Sequence, residues 1–405
     1  MATTDRTAPR RKRSPKIANQ WLCQILSLLY RRRSLSRIEI VETTGLNAAS
    51  ASHALRYLLD CGLLLRTNDR SGLTGRNREA FTLNAEAGYF VALDLEGDRL
   101  RFGLTNLLGD IRCRWEECLG LRQPFSPEKV VEGIGRVTSD LDPTQLGRVL
   151  AVGVSYPGLL DAEGRLSAVN LGWTKVPLLA ALRQAFPWPV FLERDKETCI
   201  HAENWLGAAQ DCRNALFLIA EGGIGMGILE GGKHLLGARG FSGEIGHCPV
   251  VEDGPLCACG RRGCLEAVAS SMAIGRSVEE AIARKEPTSL EPSEGGAIDA
   301  AALAAAAGAG DALALRILAQ TGEHLSRGIS FLLNVLNPEM IVLGGSVAAA
   351  GEPLLREVRS AVARHALLPH GVAIVPSALG DKAELIGAVL LAMERTVRSV
   401  RIVGG

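Results

Sequence analysis

Four cysteines, Cys248, Cys257, Cys259 and Cys264, crowd into seventeen residues, while the other six (Cys23, Cys61, Cys113, Cys118, Cys199, Cys212) are scattered singly. A disulfide framework of that density belongs to small oxidised domains. In a chain of 405 residues it reads as a loop closed around a metal ion. The N-terminal Arg6, Arg10, Arg11, Lys12, Arg13 and Lys16 are followed by no apolar core, so no secretory signal is expected. No apolar run approaches the ~18–20 residues that span a bilayer. A cytoplasmic protein without membrane contact is expected.

Net charge is only +1 but unevenly placed. Residues 1–85 hold 15 Lys and Arg against 6 Asp and Glu, and the rest holds 30 against 38. A basic head on an acidic body points the head towards a polyanion, most simply DNA. Helical apolar spacing runs from Ile17 to Tyr30, Ser36 can cap a helix over 37–43 that ends at Gly45, and Asn47 can cap a third from Ala48 to about Cys61. Helix, short helix, turn and third helix make a helix-turn-helix. The third helix offers Ser50, Ser52, His53 and Arg56 to a major groove. Strands at Leu63–Arg66 and Ala80–Leu83 flank a polar hairpin carrying Arg70, Arg76 and Arg78, a wing suited to phosphates or the minor groove.

From Gly88 apolar strands alternate with helical stretches, an α/β pattern. Tyr89–Leu95 and Arg99–Thr105 read as a hairpin and Val149–Tyr156 as a third strand. Leu216–Ala220, Ile224–Leu229 and Met340–Leu343 read as strands of a second lobe that opens with a similar hairpin. Pro287 to Gly296 reads as a loop and Ala300–Ala309 as a helix start.

Gly243-Glu244-Ile245-Gly246-His247 followed by Cys257-Ala258-Cys259-Gly260-Arg261-Arg262-Gly263-Cys264-Leu265-Glu266 resembles the ROK family (repressor, open reading frame, kinase). So do the wing's Gly75-Arg76, the strand end Leu83-Asn84, the Pro157-Gly158 turn and Asn170-Leu171-Gly172-Trp173. The likeness covers nearly the whole chain. It implies an N-terminal winged helix-turn-helix followed by a two-lobed actin-like (ribonuclease H-like) sugar-kinase fold, with the last helix, Ala383 to about Val397, crossing back onto the first lobe. It also implies that His247, Cys257, Cys259 and Cys264 bind the metal, leaving Cys248 aside. One nitrogen and three sulfurs make a closed set that suits structural Zn²⁺. Sugar contacts are implied for Asn170, Arg194, Asp195, Glu244, His247 and Glu266.

The chain departs from the family's kinases where catalysis would occur. Their Glu-Asn-Asp-x-Asn is here Glu193-Arg194-Asp195-Lys196-Glu197, so Asp195 is the vestigial base position and no catalytic residue is expected. Arg194 either recognises an anionic ligand or pairs with Asp195 or Glu197. The phosphate loops read Asp94-Leu95-Glu96-Gly97-Asp98 and Glu221-Gly222-Gly223-Ile224-Gly225, placing three carboxylates where phosphate oxygens lie in a kinase. Phosphoryl transfer requires that negative charge be neutralised, not increased.

The expected organisation is a basic tail over 1–16, a DNA-binding head over 17–84 and an effector body over 85–405. Lobe one is about 85–196 with helix 383–397, and lobe two about 197–382. The expected function is a sugar-responsive repressor that binds operator DNA as a homodimer or tetramer. An active sugar kinase with a DNA-binding head and a partner-controlled regulator without sugar are the alternatives.

Overall fold

The computed structural model describes residues 19–69, 78–97, 99–119, 125–168, 171–291, 298–367 and 372–399. They form two compact units, Gly88–Met393 and the described parts of Met1–Ala87 with Glu394–Gly405. The boundary therefore falls at 87/88 rather than 84/85. The last turns of the C-terminal helix group with the head, not with lobe one.

The head contains α1 (Asn19–Arg32), β1 (Ser34–Ser36), α2 (Arg37–Thr44), α3 (Ala48–Asp60), β2 (Leu64–Asp69) and β3 (Arg78–Leu83). The sequence signals act through identifiable bonds. Ser36 and Glu39 form a reciprocal capping box, with the Ser36 amide donating to the Glu39 carboxylate at 2.7 Å. Gly45 ends α2 at φ 68, and the Asn47 side chain accepts from the Ser50 amide at 2.8 Å. Ile25, Leu29, Ile40, Ala54, Leu55, Leu58 and Phe81 close the core. On α3 Leu59 is half-buried, whereas Ala51 is buried. The sheet has a strand that the sequence does not announce, since β1 pairs with β3 to give the order β1-β3-β2.

In the body, β4 (Tyr89–Glu96), β5 (Arg99–Asn106) and β6 (Ile111–Cys118) precede α4 (Pro127–Thr138), α5 (Pro143–Leu146) and β7 (Val149–Tyr156). A small sheet of β8 (Leu159–Leu160), β9 (Leu166–Ala168) and β10 (Trp173–Val176) leads to α6 (Leu178–Ala185), β11 (Val190–Arg194) and α7 (Asp195–Leu206). Lobe two follows with β12 (Ala215–Ala220), β13 (Ile224–Glu230), β14 (Lys233–His234), α8 (Leu265–Ala269), α9 (Ser271–Ala283), α10 (Ala300–Gly308) and α11 (Ala312–Leu336). The chain closes with β15 (Met340–Gly344), α12 (Glu352–His365), β16 (Ala373–Pro376) and α13 (Ala383–Ser399).

The two large sheets share one topology, β11-β7-β4-β5-β6 and β14-β13-β12-β15-β16. In each, a hairpin (β4–β5, β12–β13) is extended by two parallel strands on one side and one antiparallel strand on the other. This internal duplication is the actin-like sugar-kinase architecture. The central strands are buried along their length, as two-sided packing requires.

Glycines set how closely the layers approach α7. A Cβ on Gly227 of β13 would stand 2.1 Å from the Lys196 carbonyl, and one on Gly387 of α13 would stand 2.1 Å from that of Thr198. On the other side of α13, a Cβ on Gly153 of β7 would meet the Ala388 carbonyl at 2.0 Å. Hence α7 packs against lobe two, while the front of α13 lies on lobe one. The start of α7 is where groups from both lobes converge.

Candidate functional site

The cysteine loop is held by its own backbone. Isolated bridges join Pro249 to Cys264 and Leu256 to Arg262, and the Cys257 amide donates to the Arg261 carbonyl at 2.8 Å. Gly263, at φ 70, allows the turn; a Cβ there would lie 1.7 Å from the Val251 carbonyl. These bonds bring the ligand atoms of His247, Cys257, Cys259 and Cys264 within 4.8 Å of one another. Cys257 Sγ lies 3.6 Å from His247 Nδ1, and Cys259 Sγ lies 3.7 Å from Cys264 Sγ. Bonds of ~2.3 Å to one tetrahedral centre require sulfurs about 3.8 Å apart, so the set fits one ion. Backbone donation from Arg261 pulls the Cys259 thiol down to about 6, whereas burial pushes Cys264 up to about 12.

The cysteine loop lies close in sequence to a buried charged cluster at the start of α7. Glu244 precedes the 3-10 turn Ile245–His247, which His247 ends, and Glu266 is the second residue of α8, after the cap Cys264. Arg194, the last residue of β11, and Lys196, on the first turn of α7, are both buried. Arg194 donates to Glu197, to Glu244 Oε1 at 3.3 Å and to the Ser242 carbonyl at 3.1 Å, and Lys196 donates to the same Glu244 oxygen. Of the two pairings expected for Arg194, the one with Glu197 forms; the Asp195 carboxylate instead accepts from the Lys196 amide at 2.7 Å. Burial raises the Asp195 carboxyl and pushes Glu197 up to about 7.

The other residues expected at the sugar divide. Glu266 is buried and accepts from the Ile224 amide at 3.1 Å, so one of its oxygens serves lobe two. Asn170 lies outside the described residues. Nothing in the sequence singles out Lys196: a helix-start lysine in a charged run carries no marker. Its placement comes from Gly225, where a Cβ would meet the lysine's Cδ at 3.0 Å.

At the phosphate loops, Asp94 lies opposite Arg101 in the β4–β5 register. Arg101 is buried, with its guanidinium 3.0 Å from Asp94 and 2.8 Å from Glu96, and it donates to the Asp381 carbonyl at 2.5 Å. Glu96 therefore faces its own arginine. Burial pushes Asp94 up to about 7, and partial burial together with the neighbouring Glu96, Asp195 and Asp94 charges raises Glu221, just after β12. Asp98 lies outside the described residues.

In the head, α3 leaves Arg56 exposed and Ser50, Ser52 and His53 half-buried. Ser52 accepts from Arg37 at 3.4 Å, and Arg37 also pairs with Glu79 at 3.0 Å. This links α2, α3 and β3 through a residue that no motif in the sequence marks. Arg78 opens β3 opposite Asp69, while Arg70 and Arg76 lie outside the described residues.

The ROK family profile matches residues 90–395. A putative xylose repressor of Caldicellulosiruptor sp. (strain Rt8B.4) is 28% identical over 383 residues, covering 91% of this chain and 94% of the relative. A crystal structure of a ROK family transcriptional regulator, a homologue of the Escherichia coli MLC protein, superposes with TM-score 0.76 at 26% identity, covering 94% of this chain and 96% of that one. A ROK family glucokinase from Streptomyces griseus, in complex with glucose and AMPPNP, superposes with TM-score 0.65 at 27% identity, covering 75% of this chain and 99% of that one. The full-length likeness is thus to regulators, and the kinase likeness leaves a quarter of the chain unmatched. Among the described residues, no helix is long and apolar enough to cross a membrane.

Proposed function

Because the chain belongs to the ROK family, we propose that it works as a sugar-responsive transcriptional repressor whose kinase-like body senses rather than phosphorylates. The observation that carries the reading is the head: a capped helix-turn-helix with paired β2 and β3 and an α3 that leaves Arg56 exposed and Ser50, Ser52 and His53 half-buried. The head binds operator DNA, with Ser50, Ser52, His53 and Arg56 towards base edges and Arg70, Arg76 and Arg78 towards phosphates or the minor groove. Two copies bind a pseudo-palindromic operator as a homodimer, in the cytoplasm.

Zn²⁺ held by His247, Cys257, Cys259 and Cys264 fixes the loop that presents Glu244 and His247 to the effector. With four protein ligands it has no open position, so its contribution is structural. The effector is a sugar or sugar derivative met by Asn170, Asp195, Glu244, His247 and Glu266, in a site narrowed by Arg194 and Lys196. Carboxylates accept hydrogen bonds from neighbouring hydroxyls, which favours a polyol. The protein is not an enzyme on this reading. Glu96 and Glu221 occupy phosphate-loop positions, and Arg101, the cation beside them, is already engaged by Asp94 and Glu96.

Variants of the head test the proposal. Replacing Arg76 and Arg78 together should weaken binding to every duplex and lower the salt slope by up to ~2, one per lost phosphate contact. Replacing Ser52 or His53 should change which sequence is preferred while leaving that slope alone. Fluorescence anisotropy on operator and random duplexes reads both. Unchanged binding in both sets of variants would sink the assignment of the head.

A further inference from the structure

In the head, charge gathers where α2, α3 and the paired strands β2 and β3 meet. In the antiparallel register Arg66 lies opposite Phe81, which makes Glu79 its diagonal neighbour on the same face. Phe81 is buried in the head's core, whereas Glu79 and Arg66 are exposed. From the helix side Arg37, the first residue of α2, reaches the same carboxylate. Its guanidinium stands 3.0 Å from Glu79 Oε2, and that of Arg66 stands 3.3 Å from Glu79 Oε1. Arg37 also lies over the Phe81 ring, 6.0 Å from its centre, and donates to Ser52 of α3 at 3.4 Å.

Two guanidiniums thus converge on the two oxygens of one carboxylate, beside a serine of α3. A phosphodiester offers a guanidinium the same pair of anionic oxygens. The charged side chains of Arg37, Arg66 and Glu79 are 46%, 65% and 41% exposed, so water screens both pairs. An exposed ion pair shifts an equilibrium by about fivefold or less, which makes these pairs easy to exchange. A strut built for stability gains most where water is excluded, and none of these three groups is buried. A duplex, by contrast, presents a phosphate charge every ~1.7 Å of its axis and releases counterions when those charges are met.

We propose that Glu79 holds the place of a DNA backbone phosphate. It keeps Arg37 and Arg66 aligned in the free protein and gives both up to a phosphodiester when α3 meets a duplex. This rests on the reading of the head as a DNA-binding module and adds a phosphate site made of residues outside the α3 and wing sets named above. The exchange strands no charge, because the displaced Glu79 carboxylate is already at the surface and is rehydrated there. It also frees the Ser52 hydroxyl from Arg37, so capture of the backbone and reading of a base edge are coupled through one arginine.

The test titrates the full chain onto a random-sequence duplex between about 50 and 200 mM salt, read by fluorescence anisotropy. Arg37→Gln and Arg66→Gln should each weaken binding and lower the salt slope by about one. Glu79→Gln should tighten binding about two- to fivefold, and that gain should vanish once both arginines are replaced. Arg66 is exposed, so its variant reports even if Arg37→Gln disturbs the packing of Phe81. Weaker or unchanged binding by Glu79→Gln would overturn the proposal, since the carboxylate would then not compete with phosphate. So would an equal gain without the arginines, which would be a general effect of charge, or a salt slope that neither arginine variant moves. A wild type that binds no duplex would instead remove the assignment of the head, and this site with it.

Discussion

Cys264→Ser should abolish the one Zn²⁺ expected per chain and lower the melting temperature of the body by about 10 °C or more. Cys264 is fully buried and sits at the junction of the loop and α8. Its backbone bridges to Pro249, and the following Leu265 amide donates to the Cys248 carbonyl at 2.9 Å. Binding at a structural zinc is folding free energy of ~10–16 kcal/mol in small domains, comparable to the whole stability of a typical domain. A loss of even ~4 kcal/mol corresponds to ~8–16 °C at this size. Cys248→Ser should keep the metal and melt like wild type, because Cys248 is exposed and outside the ligand set. Elemental analysis and thermal melts on both variants check the pair. Full zinc in Cys264→Ser would refute the ligand assignment.

Arg194→Asn should destabilise the body by ~3–5 kcal/mol at pH 8, the usual cost of removing one partner from a buried pair. Glu197 is 1% exposed, and its Oε2 has no partner even with Arg194 in place. Burial already holds its carboxyl up to about 7, and loss of the guanidinium moves it higher. The stranded carboxylate can therefore take a proton at low pH, and the cost should shrink towards pH 6. Arg194→Asn with Glu197→Asn restores the asparagines of the kinase pattern and should recover most of the loss. Denaturant melts of the full cycle give the coupling energy. Additive losses in the double variant would mean that Arg194 is not held by Glu197.

The Arg194–Glu197 pair also shows how far an amino-acid sequence discloses its own contacts. Two departures from a family pattern, three residues apart at a helix start and opposite in charge, point to a local ion pair. Nothing local announces that Glu244, fifty residues later, joins it. The caps at Ser36 and Asn47 are legible because their partners lie within one turn. The metal set is legible because its spacing carries the chemistry. Strands β1, β6, β11 and β16 are not: β1 is three residues long, and the exposed outer face of β6 dilutes its apolar signal. Arg101 is within reach, since counting outward from the Gly97 turn places it opposite Asp94. Lys196 is not, because its burial depends on glycines in a strand of the other lobe.

On the proposed function this fold senses a sugar and reads DNA instead of transferring phosphate. Selection of the full-length protein against a randomised duplex pool, followed by elution with a panel of neutral, amino and acidic sugars, tests it most directly. The pool should be enriched in a pseudo-palindromic sequence whose bound fraction changes with one class of sugar, with no ATP consumed in the presence of any of them. No enriched sequence, together with ATP-dependent phosphorylation of a sugar at the ~1–100 per second usual for kinases, would contradict it.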